Sequence, residues 1–167
     1  VVDEDEVVEQ EFVSGIAYSR DEAKITLVKV SDRPGVAARI FGPLADASVN
    51  VDMIVQNVSD DGKATDLTFT VTRSDLGRAT EILKQNKNDL GYQDLRSDLN
   101  VVKVSVIGVG MRSHAGVAQR MFKCLGDEGV NVQVISTSEI KVSVLIAEEF
   151  TERAVRALHT VYGLDAE

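Results

Sequence analysis

Gly35-Val-Ala-Ala-Arg-Ile-Phe41 returns as Gly116-Val-Ala-Gln-Arg-Met-Phe122, 81 residues further along the chain. At that offset, 10 of the 17 positions from Gly35 to Val51 are identical, ending in Asn50-Val51 and Asn131-Val132. A period this long means two copies of one small domain, not a solenoid of many units. The flanks extend the pattern: Ser31-Asp32-Arg33-Pro34 faces Ser-His-Ala, and each Asn-Val is followed by a β-rich run.

Working outward, Ile25–Val30 is a β-branched run that ends in the turn chemistry of Ser31–Gly35. Val36, Ile40, Phe41 and Leu44 recur at helical spacing to about Ala47. Asn50–Gln56 and Thr65–Thr72 read as strands around an Asp60-Asp61-Gly62 hairpin turn. Ser74 and Asp75 supply capping chemistry for a helix to about Gln85, and Gln93–Ser97 is a fourth strand. The second copy runs through a strand at Val101–Ile107, a Gly-rich turn at Gly108–His114 and a helix at Gly116–Asp127. Strands at Asn131–Ser136 and Lys141–Ile146 follow, then a helix at Thr151–Val161.

That second copy is βαββα and lacks its last strand. The loosely alternating Phe12–Ser19 is the candidate to fill the gap, which would insert the first repeat within the second. An open sheet edge is a pairing liability, which favours that arrangement over an unpartnered strand; pairing with a neighbouring chain is the other option. The expected fold class is therefore α+β, two ferredoxin-like βαββαβ domains with the first inserted into the second. The expected boundaries are an acidic linker over 1–11, the first domain over 24–99, and the second over 12–20 plus 101–167. The sheet face away from the helices is left for a partner, often another copy of such a domain.

Composition narrows function. A net charge of −9 and a pI near 4.7 oppose nucleic-acid binding, which needs a basic stripe. No apolar run approaches the ~20 residues needed to span a membrane. The N-terminus is acidic where a signal peptide is basic, and the single cysteine, Cys124, suggests a reducing, cytoplasmic setting. Cys124 reads as a packing residue on a helix.

The two strand-to-helix loops, Ser31–Val36 and Gly110–Val117, are where chemistry would concentrate. Glycine lets backbone N–H groups approach a ligand, and a helix N-terminus favours a carboxylate. Asp32 could answer an ammonium, so the loop suits a free amino acid. The same residues also make an ordinary tight turn and cap, and both readings stand on sequence alone. Asp52 and Asp66 read as solvated rim residues, with no His or Cys at metal-ligand spacing. His114 would contact a ligand or only the loop backbone, and His159 reads as structural or exposed. No Walker loop, Gly-x-Ser-x-Gly elbow or paired cysteines occur, and no catalytic set stands out.

Ser31–Val36, Val49–Ser59 (Val-Asn-Val-Asp-Met-Ile-Val-Gln-Asn-Val-Ser) and Thr65–Thr70 (Thr-Asp-Leu-Thr-Phe-Thr) resemble the first ACT domain of bacterial aspartate kinase. Val109–Val117 and Gln133–Ile146, with its Ser-Thr-Ser-Glu-Ile stretch, resemble the second. The resemblance implies the regulatory region, as a separate β subunit or the C-terminal part of an enzyme that phosphorylates L-aspartate. The kinase motif Lys-Phe-Gly-Gly-Thr is absent here, so no catalytic residue is expected in this chain. ATP and magnesium would belong to the kinase domain, and no cofactor or metal is expected here.

By the same resemblance, end-product amino acids bind where ACT domains of two chains meet, so a homodimer is implied. L-threonine would use Asp32, Gly35, Ala37 and Gln56 of one chain with Asn131 and Val132 of the other. A second effector, L-lysine, would use Met111, Ser113 and His114 with Ser59 and Ser138 nearby. Lysine-responsive relatives carry a Thr and an acidic residue where this chain has Ala118 and Arg120, which argues against direct recognition of the lysine ammonium there. A stand-alone amino-acid-binding or scaffolding protein for another enzyme is the alternative.

Overall fold

The computed structural model describes residues 13–31, 33–108 and 114–164, with His114 and Ala115 as backbone only. In chain order the elements are β1 (Val13–Ser19), β2 (Ala23–Ser31), α1 (Val36–Asp46), β3 (Ile54–Val58) and β4 (Ala64–Val71). They continue with a 3-10 turn, α2 (Leu76–Gln85), α3 (Lys87–Leu90), β5 (Asp94–Asp98), β6 (Val101–Gly108) and α4 (His114–Asp127). β7 (Val134–Thr137), β8 (Lys141–Ala147), a second 3-10 turn and α5 (Thr151–Val161) complete it. No helix among the described residues is long and apolar enough to cross a membrane.

The strands form two antiparallel sheets of four, ordered β3-β4-β2-β5 and β1-β6-β8-β7. Asp21–Leu99 form one compact unit; the chain up to Arg20 and from Asn100 onward forms the other. The decisive pairing is β1 with β6, from Val13 opposite Gly108 to Ser19 opposite Lys103. The N-terminal strand therefore completes the second βαββα set, and the first domain is inserted within the second.

Each unit builds its core from one sheet face and two helices. In the inserted unit, Ile25 and Leu27 of β2 and Leu67 and Phe69 of β4 meet Val36, Ile40 and Leu44 of α1 and Ala79 and Leu83 of α2. Phe41 meets Phe69 edge-on, ring centroids 5.2 Å apart, which seats α1 over β4. In the other unit, Val102, Val104 and Val106 of β6 meet Met121 and Leu125 of α4 and Leu158 of α5. Both units bury a tyrosine whose hydroxyl donates to a helix carbonyl: Tyr92 to Leu83 at 2.9 Å and Tyr162 to Val117 at 2.6 Å. That bond removes the cost of burying an unpaired hydroxyl.

Several expectations need correction. The strand expected at Asn50–Gln56 begins only at Ile54. Asp52 and Met53 instead wrap Thr70, with Asp52 N–H to its carbonyl at 3.0 Å and Met53 N–H to its hydroxyl at 3.1 Å. The strand expected at Asn131–Ser136 likewise begins at Val134. Ser74 and Asp75 do not cap α2: the chain enters through a 3-10 turn, and Asp75 pairs with Arg78 at 2.8 Å. On the face of β6 and β8 opposite the helices, Val101, Ser105, Ser143 and Leu145 are buried as well. Their near-continuous apolar runs, Val101-Val102 and Val142–Ile146, are the mark of strands covered on both faces. Ser105 and Ser143 satisfy each other there at 2.7 Å.

Candidate functional site: the first turn of α1 and the β3 edge

β2 delivers the chain at Ser31 opposite Ala64, and a turn closed by Val36 N–H to the Arg33 carbonyl at 3.2 Å leads into α1. Gly35 is the residue before the helix, at φ 86° and ψ −5°. An L-residue is strained there and glycine is not. No described side chain caps the helix, and its first turn carries no acidic residue. The early N–H groups of a helix have no partner within it and carry the positive end of its dipole. Gly35 and Ala37 are both exposed, and the Val36 N–H is taken by the Arg33 carbonyl.

Gln56 lies on β3, the outer strand of its sheet, opposite Leu67. Leu67 belongs to the core beneath α1, so Gln56 is on the helix side, and it is exposed. β3 runs parallel to β2, so Val58 and Ser31 end at the same end of the sheet. The fold therefore brings Gly35, Ala37 and Gln56 to one end and one side of this unit. Asp32, the partner expected for an ammonium, lies outside the described residues.

Asn131 and Val132 fall in the segment between α4 and β7. Asn131 is exposed; Val132 is half-buried against its core, and Gln133 N–H donates to the Leu145 carbonyl at 2.8 Å. Of the second set, Met111 and Ser113 lie outside the described residues, and His114 is the first residue of α4. Ser59 and Ser138 each open the hairpin that follows an outer strand, donating their N–H groups to Ala64 and Lys141, both at 2.8 Å. The Ser59 hydroxyl is committed within its hairpin, donating to Asp61 at 2.7 Å and accepting the Ala64 N–H at 3.2 Å. That hydroxyl, with the Lys63 N–H, holds the Asp61 carboxyl below its ordinary range.

Grooves among the described residues lie elsewhere. One of about 930 Å³ runs between α4 and α5, and one of about 520 Å³ lies beside the β3–β4 hairpin; neither is lined by Gly35, Ala37 or Gln56. Cys124, facing the first, packs half-buried against its core, and burial, then Glu128 and Asp127, push its thiol pKa up. Among the described residues no three His, Cys, Asp or Glu side chains converge as metal ligands.

One residue with more to do than the sequence suggested is Asp66, read as a solvated rim position. Its carboxylate accepts the Lys29 N–H at 2.9 Å across a bulge in β2. The signal was faint: the apolar alternation Ile25, Leu27 skips to Val30.

Two units of ferredoxin-like order, each a four-stranded antiparallel sheet packed on one face by helices, define a tandem of ACT domains. Residues 24–88 match one family model described as ACT domain, and residues 104–162 match a second with the same description. Aspartokinase of Pseudomonas aeruginosa is 58% identical over 164 residues, covering 98% of this chain and 40% of that protein. A crystal structure of aspartokinase alpha and beta subunits superposes with a TM-score of 0.85 at 48% identity, covering 90% of this chain and 99% of that one. The ligand-free regulatory subunit of aspartate kinase from Thermus thermophilus gives 0.84 at 36% identity, covering 89% and 97%. The chain belongs to the aspartokinase regulatory family, the tandem ACT part of that enzyme. It spans 40% of the length of its curated Pseudomonas relative.

Proposed function

We propose that this chain is the allosteric module of an aspartate kinase. It binds L-threonine where ACT domains of two chains meet and feedback-inhibits phosphorylation of L-aspartate by a catalytic domain or subunit; joint control by L-lysine would use residues other than the helix position of Ala118 and Arg120. The observation that carries this reading is the Gly35-led first turn of α1, capped by no described side chain, at the same end and side of the unit as Gln56 on an outer strand. In this reading one chain contributes half of the amino-acid site and the Asn131–Val132 segment of a second chain supplies the rest. The hydroxyl of threonine is read by a polar group that would otherwise lie unpaired, which is how a site rejects an apolar isostere. ATP and magnesium serve the catalytic part of the assembly, in the cytoplasm.

Coupling runs through assembly. A ligand that bridges two chains stabilises the dimer by linkage, and it shifts the kinase only by its difference in affinity for the two states. A coupling of ~1–3 kcal/mol corresponds to roughly 5- to 150-fold in the population of the active arrangement.

The test is calorimetric titration of the chain with L-threonine, with and without L-lysine, beside sedimentation. Saturable binding that tightens a dimer is expected. A folded chain that takes up neither amino acid defeats the reading and leaves a scaffold.

A further inference from the structure

β2 is not an unbroken strand. Its partners on β4 run from Leu27 opposite Leu67 directly to Val30 opposite Thr65, so Val28 and Lys29 together face Asp66. Lys29 adopts φ 54°, the left-handed region that L-residues avoid. Its N–H has left the regular ladder and is taken by the Asp66 carboxylate at 2.9 Å.

The extra residue resets the phase of the strand. Simple alternation after Ile25 and Leu27 would send Lys29 into the core and Val30 away from it. With the bulge in place Ile25, Leu27 and Val30 are all 0% exposed and Lys29 is on the surface. Gly35 follows Lys29 by six residues, through the turn at Arg33 that starts α1. On its other side Asp66 is paired with Asn57, the neighbour of Gln56 on β3. One residue of β4 thus stands between the strand that delivers the helix turn and the strand that presents the amide.

We infer that Asp66 is a positioning residue for the effector site. Its carboxylate locks the β2 bulge, sets the phase at which the Arg33–Gly35 turn arrives, and so places the first amides of α1 relative to Gln56. The effector role rests on the function proposed above; the bulge and its lock do not.

The experiment uses the full chain, as wild type, Asp66→Ala and Asp66→Asn, with amide exchange followed residue by residue and L-threonine affinity measured on the same samples. In Asp66→Ala, exchange from Val30 to Arg39 is expected to rise about tenfold while α4 and β6 amides hold. Threonine affinity is expected to fall about tenfold, or about 1.4 kcal/mol. Asp66→Asn, which keeps an acceptor oxygen, is expected to stay within about threefold of wild type in both. Should the alanine variant fail to fold, Asp66→Ser, polar but too short to reach Lys29, takes its place with the same expectations. Unchanged exchange at Val30–Arg39, or a loss of protection spread evenly over Asp21–Leu99, overturns the inference. A wild type that binds neither threonine nor lysine overturns the proposed function instead, and the exchange comparison still decides whether Asp66 sets the turn.

Discussion

Ile54 on β3 and Ile135 on β7 stand 81 residues apart, at the same place in the two repeats, and leave 50% and 46% of their surface in water. Both strands are the last of their sheets, each bonded to a single neighbour. An outer strand with an exposed apolar side chain invites pairing, and lysine there discourages it. Ile54→Lys and Ile135→Lys are expected to weaken self-association by about tenfold or more in sedimentation. Unfolding free energy should move by no more than about 0.5 kcal/mol, as for other surface changes.

Gln56→Ala removes the exposed amide beside α1 and leaves Leu67 and the core untouched. Losing a polar partner to a bound ligand costs about 1–3 kcal/mol. Threonine affinity measured by calorimetry should fall correspondingly, with the thermal midpoint unchanged.

Gly35→Ala isolates the backbone. An added Cβ at Gly35 meets nothing within 4 Å, so the cost is the left-handed conformation alone, about 1–2 kcal/mol in urea unfolding. Gly62 at φ 71° in the β3–β4 hairpin is the control, also with open space around it. Both alanine variants should lose similar stability, but only Gly35→Ala should lose effector affinity.

Phe69→Ala empties a fully buried position against Phe41. A loss of about 3–5 kcal/mol is expected for the inserted unit. Exchange protection should collapse over Asp21–Leu99, which tests how far β6 and α4 remain protected without it.

Cys124 gives a pH signature. Its thiolate is disfavoured by burial and by Glu128 and Asp127, so the folded chain keeps the thiol proton longer than the unfolded chain. Its contribution to stability is complete below the ordinary thiol pKa and declines as the pH climbs from there through the raised folded value. Alkylation of Cys124 near neutral pH should accordingly be slower than that of a free thiol.

Much of the fold was legible because apolar spacing survives in short windows. Val36, Ile40 and Leu44 announce α1, Asp60-Asp61-Gly62 announces a hairpin, and all of these stand in the structure. The late start of β3 was not legible, because Asn50–Gln56 has strand composition throughout and only Thr70 diverts Asp52 and Met53. The missing cap on α2 belongs to the same class: Ser74 and Asp75 are capping residues by type, yet Arg78 claims Asp75.

The duplication at an offset of 81, the element types and the absent final strand of the second repeat all lie in the order of residues, because helix and strand periods are local properties. Which strand fills that gap is not local. Val13 pairs with Gly108 although the whole inserted unit lies between them in the sequence. The bulge at Lys29 is of the same kind: Asp66, distant along the chain, holds a left-handed residue in the middle of β2. Contacts between remote segments decide where a chain breaks its own period, and here that break sets the turn that leads into α1.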